Sequence, residues 1–88
     1  MAKFLTLNTF ASQEKRIEHR ADHRVYLHDL AAKGKLLMAG PFLDETGGLI
    51  IWEAEDQAEV EALIAQDPFT LNGVFATTEI IPWKQVAP

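Results

Sequence analysis

The sequence predicts one α+β domain of the ferredoxin-like class, in which four antiparallel strands are covered on one face by two helices. Four segments rich in β-formers and two helical segments follow one another in the order βαββαβ within 88 residues. The apolar fraction of 48% is typical of a globular protein. The chain contains no repeat, linker or low-complexity segment, so residues 1–88 are expected to form a single domain.

The first half of the chain predicts a strand, a helix and a second strand. The alternating segment KFLTLNTF predicts a strand over residues 3–9. Ser12 is a suitable N-cap for a helix that runs to about Lys33, and Gly34 follows as a C-terminal stop. The segment KLLMAGPF predicts the second strand, which ends at its Gly-Pro pair.

The second half predicts a strand, a helix and a final strand. After the turn LDETGG, the segment LIIWEAE predicts the third strand. Asp56 followed by Glu59 is typical of a capping box, and it begins a helix over about residues 57–66. Pro68 ends that helix, FTLNG predicts a short irregular or helical turn, and VFATTEIIPW predicts the last strand, at about 74–83.

Both faces of the predicted sheet carry apolar side chains. In the third strand Leu49 and Ile51 alternate with Ile50 and Trp52. In the last strand Ile80 lies opposite a set of apolar side chains that share one face: Phe75, Ile81 and Trp83. A sheet with one face in water should alternate cleanly between apolar and polar residues. The second face is therefore expected to pack against another copy of the chain, which gives a homodimer with sheet face on sheet face.

Composition excludes several classes of function. The net charge of −5 argues against a protein that binds nucleic acid through bulk electrostatics. The absence of cysteine excludes disulfides, thiolate metal sites and a cysteine nucleophile. The N-terminal segment MAKFLTLNTF is too mixed for a signal-peptide core, and no apolar run approaches membrane-spanning length. We therefore expect a cytoplasmic protein that does not associate with membranes.

The segment EHRADHRVYLHDL, in the first helix, contains all three histidines. His23 shares a helical stripe with Arg20, Leu27 and Leu30, so it lies on or beside the buried face. His19 and His23 have a spacing that metal sites use, but their positive neighbours oppose a cation, and no metal site is expected. His28 is rotated away from the stripe and is expected to be exposed.

His23 has two interpretations that the spacing does not separate. It is either a half-buried histidine bonded to a backbone carbonyl or a general acid/base oriented by a carboxylate. Asp67, next to Pro68, is the candidate carboxylate, and it is also a candidate cap for the turn that Pro68 begins. Both helices lie on the same side of the sheet, so contact between the two side chains is possible.

Two further residues near His23 have both a binding and a structural interpretation. Tyr26 could donate a hydrogen bond to a developing oxyanion, or it could pack in the core or an interface. Arg20 could bind a substrate carboxylate through two hydrogen bonds, or it could pair with Glu18. More broadly, the basic residues of the first helix could attract a small anion or form a solvated face: Lys15, Arg16, Arg20 and Arg24.

The segments RADHRVYL, GKLLMAGPF, DPFTLNGV and IIPW occur in an order that resembles the YciI-like family over nearly the whole chain. That family is similar in fold to the dimeric α+β barrels. The resemblance implies an active-site dyad that maps onto His23 and Asp67. It also implies a pocket lined by the end of the second strand and by the segment after the aspartate, which here supply Gly40, Pro41, Phe69 and Gly73.

One characterised branch of the family is a dehydrochlorinase that acts on a chlorinated hydroxyhydroquinone. The present chain departs from the family pattern at Ala21, where proline is frequent, and at Arg24, where an apolar residue is frequent. The resemblance implies a small cofactor-free lyase or isomerase that uses a His-Asp dyad on a small anionic or phenolic substrate. The alternative is a non-catalytic dimeric module that binds a small ligand in the same cleft.

Overall fold

The computed structural model describes all 88 residues and confirms the predicted fold class. Each predicted element is present within two residues of its expected bounds, and the turn after the second long helix forms a short helix of its own. The elements in chain order are β1 (Ala2–Phe10), α1 (Gln13–Ala32), β2 (Leu36–Pro41), β3 (Gly47–Ala54), α2 (Gln57–Ala65), α3 (Pro68–Leu71) and β4 (Phe75–Trp83).

The four strands form one antiparallel sheet in the order β2-β3-β1-β4. The helices cover the face on which Phe4 of β1 lies opposite Trp52 of β3. Trp52 is fully buried, and its indole N–H donates to Thr6 Oγ1 at 2.9 Å, so the large ring is buried with its polar group satisfied. The core cluster between this face and the helices consists of Phe4, Leu30, Leu36, Ile50, Trp52, Ala54 and Val60.

The helices begin and end where local sequence signals predicted. The Ser12 hydroxyl accepts the backbone N–H of Lys15 at the start of α1, and the Asp56 carboxylate accepts that of Glu59 at the start of α2. Gly34 follows α1 with φ of +76°, a conformation that glycine adopts without steric cost. No helix of the structure has the length and apolar character needed to cross a membrane.

A β-bulge changes the predicted facing of Phe75. Simple alternation predicted that Phe75 shares a face with Ile81 and Trp83, and this prediction is wrong. The register between β1 and β4 shifts at Thr9 and Phe10, so that Phe10 pairs with Phe75. The extra residue turns Phe75 toward the helices, where its ring stacks with that of Phe10 at a centroid distance of 6.3 Å.

The sheet face away from the helices carries a continuous apolar patch. Leu5 of β1 lies between Ile51 of β3 and Ile81 of β4, and Leu7 pairs with Leu49. All five side chains are only partly buried in the single chain. At the two ends of the patch, Met38 is 60% exposed and Trp83 is 40% exposed.

Candidate active site

His23 and Asp67 are in direct contact in the folded chain. His23 Nδ1 lies 2.7 Å from Asp67 Oδ1, and only 13% of the His23 side chain and 2% of the Asp67 side chain are exposed. A carboxylate oxygen can only accept a hydrogen bond, so the imidazole donates from Nδ1. In the neutral imidazole, the other ring nitrogen, Nε2, then has a free lone pair.

Asp67 is held in place by its position between two helices. It precedes Pro68 and has an extended backbone with φ of −64° and ψ of 129°, as a residue before proline favours. Its Oδ1 also accepts the backbone N–H of Phe69 at 2.9 Å, which caps α3. The cap and the contact with His23, which the sequence left as alternatives, therefore occur together on one oxygen.

Aromatic rings fix the plane of the His23 imidazole. The Phe69 ring stacks on it with a centroid distance of 3.7 Å and an interplanar angle of 2°. The Phe75 ring approaches at 6.3 Å with an interplanar angle of 84°. These contacts and the Asp67 hydrogen bond together orient the imidazole before any ligand arrives.

A cavity of about 430 Å³ opens beside His23, between α1 and the β2–β3 end of the sheet. Five of the residues expected at a ligand site line this cavity: Arg20, His23, Gly40, Pro41 and Phe69. Asp67 lies behind His23 and is not part of the lining. Gly73 lies outside the lining as well.

Tyr26 is not at the cavity, although the sequence offered it as a donor to the substrate. Its hydroxyl donates to the backbone carbonyl of Leu63 at 2.6 Å, which ties α1 to α2. Burial raises the pKa of Tyr26 above its ordinary value of 10.0, and the negative charges of Asp67 and Asp29 add to this increase. Its place in the structure matches the packing interpretation of this residue.

The cavity wall on α1 is basic, in a chain whose net charge is −5. Arg16, Arg20, Arg24 and His28 contribute to it, and His28 is exposed as expected. The sequence offered Arg16 only as one of four basic residues that could attract a small anion or form a solvated face. The signal was nevertheless present, because the spacing of Arg16, Arg20 and His23 places all three on one face of a helix.

Comparison with known proteins identifies relatives along almost the entire chain. The family model of the YCII-related domain matches residues 2–84. The uncharacterized protein YjpA of Bacillus subtilis is 36% identical over 76 residues, which cover 86% of this chain and 88% of that protein. An uncharacterized protein of Haemophilus influenzae is 34% identical over 83 residues, which cover 83% of this chain and 85% of the other.

One solved structure with a described activity is similar in both sequence and fold. The 5-chloro-2-hydroxyhydroquinone dehydrochlorinase of Burkholderia phenoliruptrix AC1100, solved with 2,5-dihydroxybenzoquinone, has a TM-score of 0.82 and 35% identity, with 93% of each chain covered. A putative antibiotic biosynthesis monooxygenase from Bacteroides thetaiotaomicron has a TM-score of 0.69 over 99% of this chain and 90% of its own. At 18% identity it shares the fold alone.

Proposed function

Because the chain belongs to the YCII-related domain family, we propose that it is a small cofactor-free lyase or isomerase that transfers a proton on a ring substrate. The observation that carries the proposal is the 2.7 Å hydrogen bond from His23 to Asp67, beside a cavity large enough for a small molecule. His23 acts as the general acid/base, and Asp67 orients it.

In the proposed chemistry, the proton moves through one imidazole nitrogen. With Nδ1–H held by Asp67, the lone pair on Nε2 removes a proton from a hydroxyl or carbon acidified by a neighbouring carbonyl. The electron pair released shifts into the ring system. If a leaving group departs with its bonding electrons, the result is elimination; if His23 returns the proton to a different atom, the result is isomerisation.

The cavity supports a hydroxylated aromatic or quinoid ring as the substrate class. Phe10 and Phe75, which are partly buried, contribute apolar ring surface to the cavity, and Arg20 and Arg24 attract an ionised phenol or carboxylate. The related dehydrochlorinase, at 35% identity, is named for a chlorinated hydroxyhydroquinone. We therefore take compounds of that type as the first candidates for this chain.

The proposed functional unit is a homodimer that packs sheet face on sheet face. The support is the partly exposed patch of Leu5, Leu7, Leu49, Ile51 and Ile81 on the sheet face away from the helices. Large apolar patches of this kind are uncommon on monomers and typical of association surfaces.

The test of the proposal is chloride release from 5-chloro-2-hydroxyhydroquinone. We expect turnover by the wild type, and we expect His23→Gln to lower it by about 10²- to 10⁴-fold because a positioned base contributes that factor. His19→Gln is the matched control, since His19 is on the same helix but outside the cavity lining. A wild-type protein that binds the compound without releasing chloride would favour the non-catalytic ligand-binding module instead.

A further inference from the structure

Arg16 is a buried cation at one end of the candidate active site. The residue is 4% exposed, and its guanidinium lies 4.7 Å above the centroid of the Phe10 ring. Arginine is seldom buried to this degree unless its charge is balanced. The carboxylate that balances it belongs to Glu45, in the loop between β2 and β3.

The hydrogen bonds of Arg16 use only one of its three side-chain nitrogens. Nη1 donates to Gln13 Oε1 and to Glu45 Oε1, both at 3.1 Å. A guanidinium has five N–H donors. The three on Nη2 and Nε have no acceptor within the protein, because both observed hydrogen bonds use Nη1. Neither of these nitrogens is a fully buried group without a partner, so each keeps some exposure at the surface of this otherwise buried residue. Arg16 is one of the residues that line the cavity.

Arg16 and His23 lie on the same side of α1, two helical turns apart. Seven residues of helix correspond to a rise of about 10 Å. Between them lie the aromatic rings: Phe10 under Arg16 contacts Phe69 at 6.1 Å, and Phe69 stacks on His23. A planar ring in the cavity that Arg16 and His23 both line can present one substituent to Arg16 and another to His23.

We propose that Arg16 is the anchor for a carboxylate on the substrate, so that the cavity takes a hydroxylated aromatic carboxylate whose ring extends toward His23. The free Nη2 and Nε donors match the two oxygens of a carboxylate in the paired geometry that arginine favours. The identity of the reacting ring rests on the proposed function, whereas the charge selectivity of the anchor does not.

Glu45 sets the strength of this anchor. Its side chain is 66% exposed, and the Gln13 amide donates to its backbone carbonyl at 2.6 Å, which holds the loop against α1. The Glu45 carboxylate offsets part of the Arg16 charge and repels an incoming anion. Glu45→Gln removes that charge and keeps an oxygen that can accept the Arg16 hydrogen bond, so it should strengthen carboxylate binding.

The test is a binding titration with salicylate and with salicylamide, its uncharged analogue, followed by NMR shifts of cavity residues. We expect the wild type to bind salicylate at least about tenfold more tightly than salicylamide, the factor expected for hydrogen bonds to a charged group. Arg16→Gln should remove most of that preference while salicylamide affinity stays the same. Glu45→Gln should increase the preference, and it keeps the test decisive if Arg16→Gln fails to fold.

Two controls separate the anchor from general positive potential. Lys33→Gln removes a positive charge from α1 outside the cavity and should leave the preference intact. Arg24→Gln removes an exposed charge at the cavity and should weaken salicylate binding by less than Arg16→Gln does. A wild type with no preference for salicylate, a preference that survives Arg16→Gln, or one that depends on Arg24 alone would each overturn the proposal.

The same titration on His23→Gln separates this inference from the proposed function. Salicylate selectivity that persists in His23→Gln supports the anchor whatever the chemistry at His23. If His23→Gln loses no turnover but Arg16 still selects the carboxylate, the proposed function fails and the anchor stands. If Arg16→Gln binds the two probes as the wild type does while His23→Gln is inactive, the anchor fails and the proposed function stands.

Discussion

His23 and Asp67 are 44 positions apart in sequence and joined by a 2.7 Å hydrogen bond in the fold. The same Asp67 oxygen accepts the Phe69 backbone N–H, and the Phe69 ring stacks on His23. One carboxylate thus positions the imidazole directly and also through the ring that lies on it. Changes at Asp67 should therefore affect both folding and the site.

Asp67→Ala should destabilise the fold more than the loss of an ordinary cap does. The replacement removes the α3 cap and leaves the His23 and Phe69 N–H groups without an acceptor, for an expected loss of about 2–4 kcal/mol. Asp56→Ala, which removes only the exposed cap of α2, is the matched control and should cost about 1 kcal/mol. Urea unfolding measures both, and equal losses would mean that the His23 contact contributes nothing.

Tyr26 reports on the charge of Asp67. It is the only tyrosine in the chain, so tyrosinate absorbance follows this one group. Burial and the charges of Asp67 and Asp29 raise its pKa above 10.0, and Asp67→Asn should move the pKa back toward that value while the effect of burial remains. Asp29→Asn should cause a smaller decrease. An identical titration in Asp67→Asn and the wild type would contradict this coupling.

The raised pKa of Tyr26 also predicts how stability depends on pH. A group that binds its proton more tightly in the folded state contributes stability that is complete below the unfolded pKa. For Tyr26 that contribution is lost as the pH rises from 10.0 through the higher folded pKa. Tyr26→Phe should therefore reduce the loss of stability in this alkaline range, as measured by thermal unfolding at several pH values. An unchanged pH profile would show that other groups cause the loss.

Gly47 lets β3 lie close to the backbone of β1 at the end of the strand pair, next to the cavity. A Cβ on Gly47 would collide with the backbone carbonyl oxygen of Asn8, so Gly47→Ala should lower the free energy of unfolding by about 1–3 kcal/mol. Gly40→Ala is the control, because a Cβ there meets nothing within 4 Å, and its effect should stay within about 0.5 kcal/mol. Denaturant unfolding compares the two. Similar stabilities would show that the strand ends separate without cost.

The apolar patch on the open sheet face should mediate self-association. We expect the wild type to sediment as a dimer at micromolar concentration. Leu7→Lys should sediment as a monomer, because the new charge would be buried in the interface without a partner. Val25→Lys is the control, since Val25 is an exposed apolar residue on α1 and lies outside the patch. A stable wild-type monomer would remove the dimer from the proposal.

Local sequence signals were sufficient to predict the secondary-structure elements and their order. The Ser12 and Asp56 caps, the stop at Gly34 and the break at Pro68 act between residues a few positions apart, so the local chain contains the information needed to predict them. The segments around His23 and Asp67 also supported the family assignment. No local signal, however, could show that these two side chains meet.

The set of groups that share the cavity depends on how the elements pack together. The bulge at Phe10 turned Phe75 from the open face to the site, and the packing of α2 directed the Tyr26 hydroxyl to Leu63 instead of the cavity. Burial of Arg16 between Phe10 and Glu45 likewise depends on a loop that lies 29 positions away. All three cases have the same cause: periodicity gives the direction of a side chain along its own element, whereas its contacts depend on register and packing between elements.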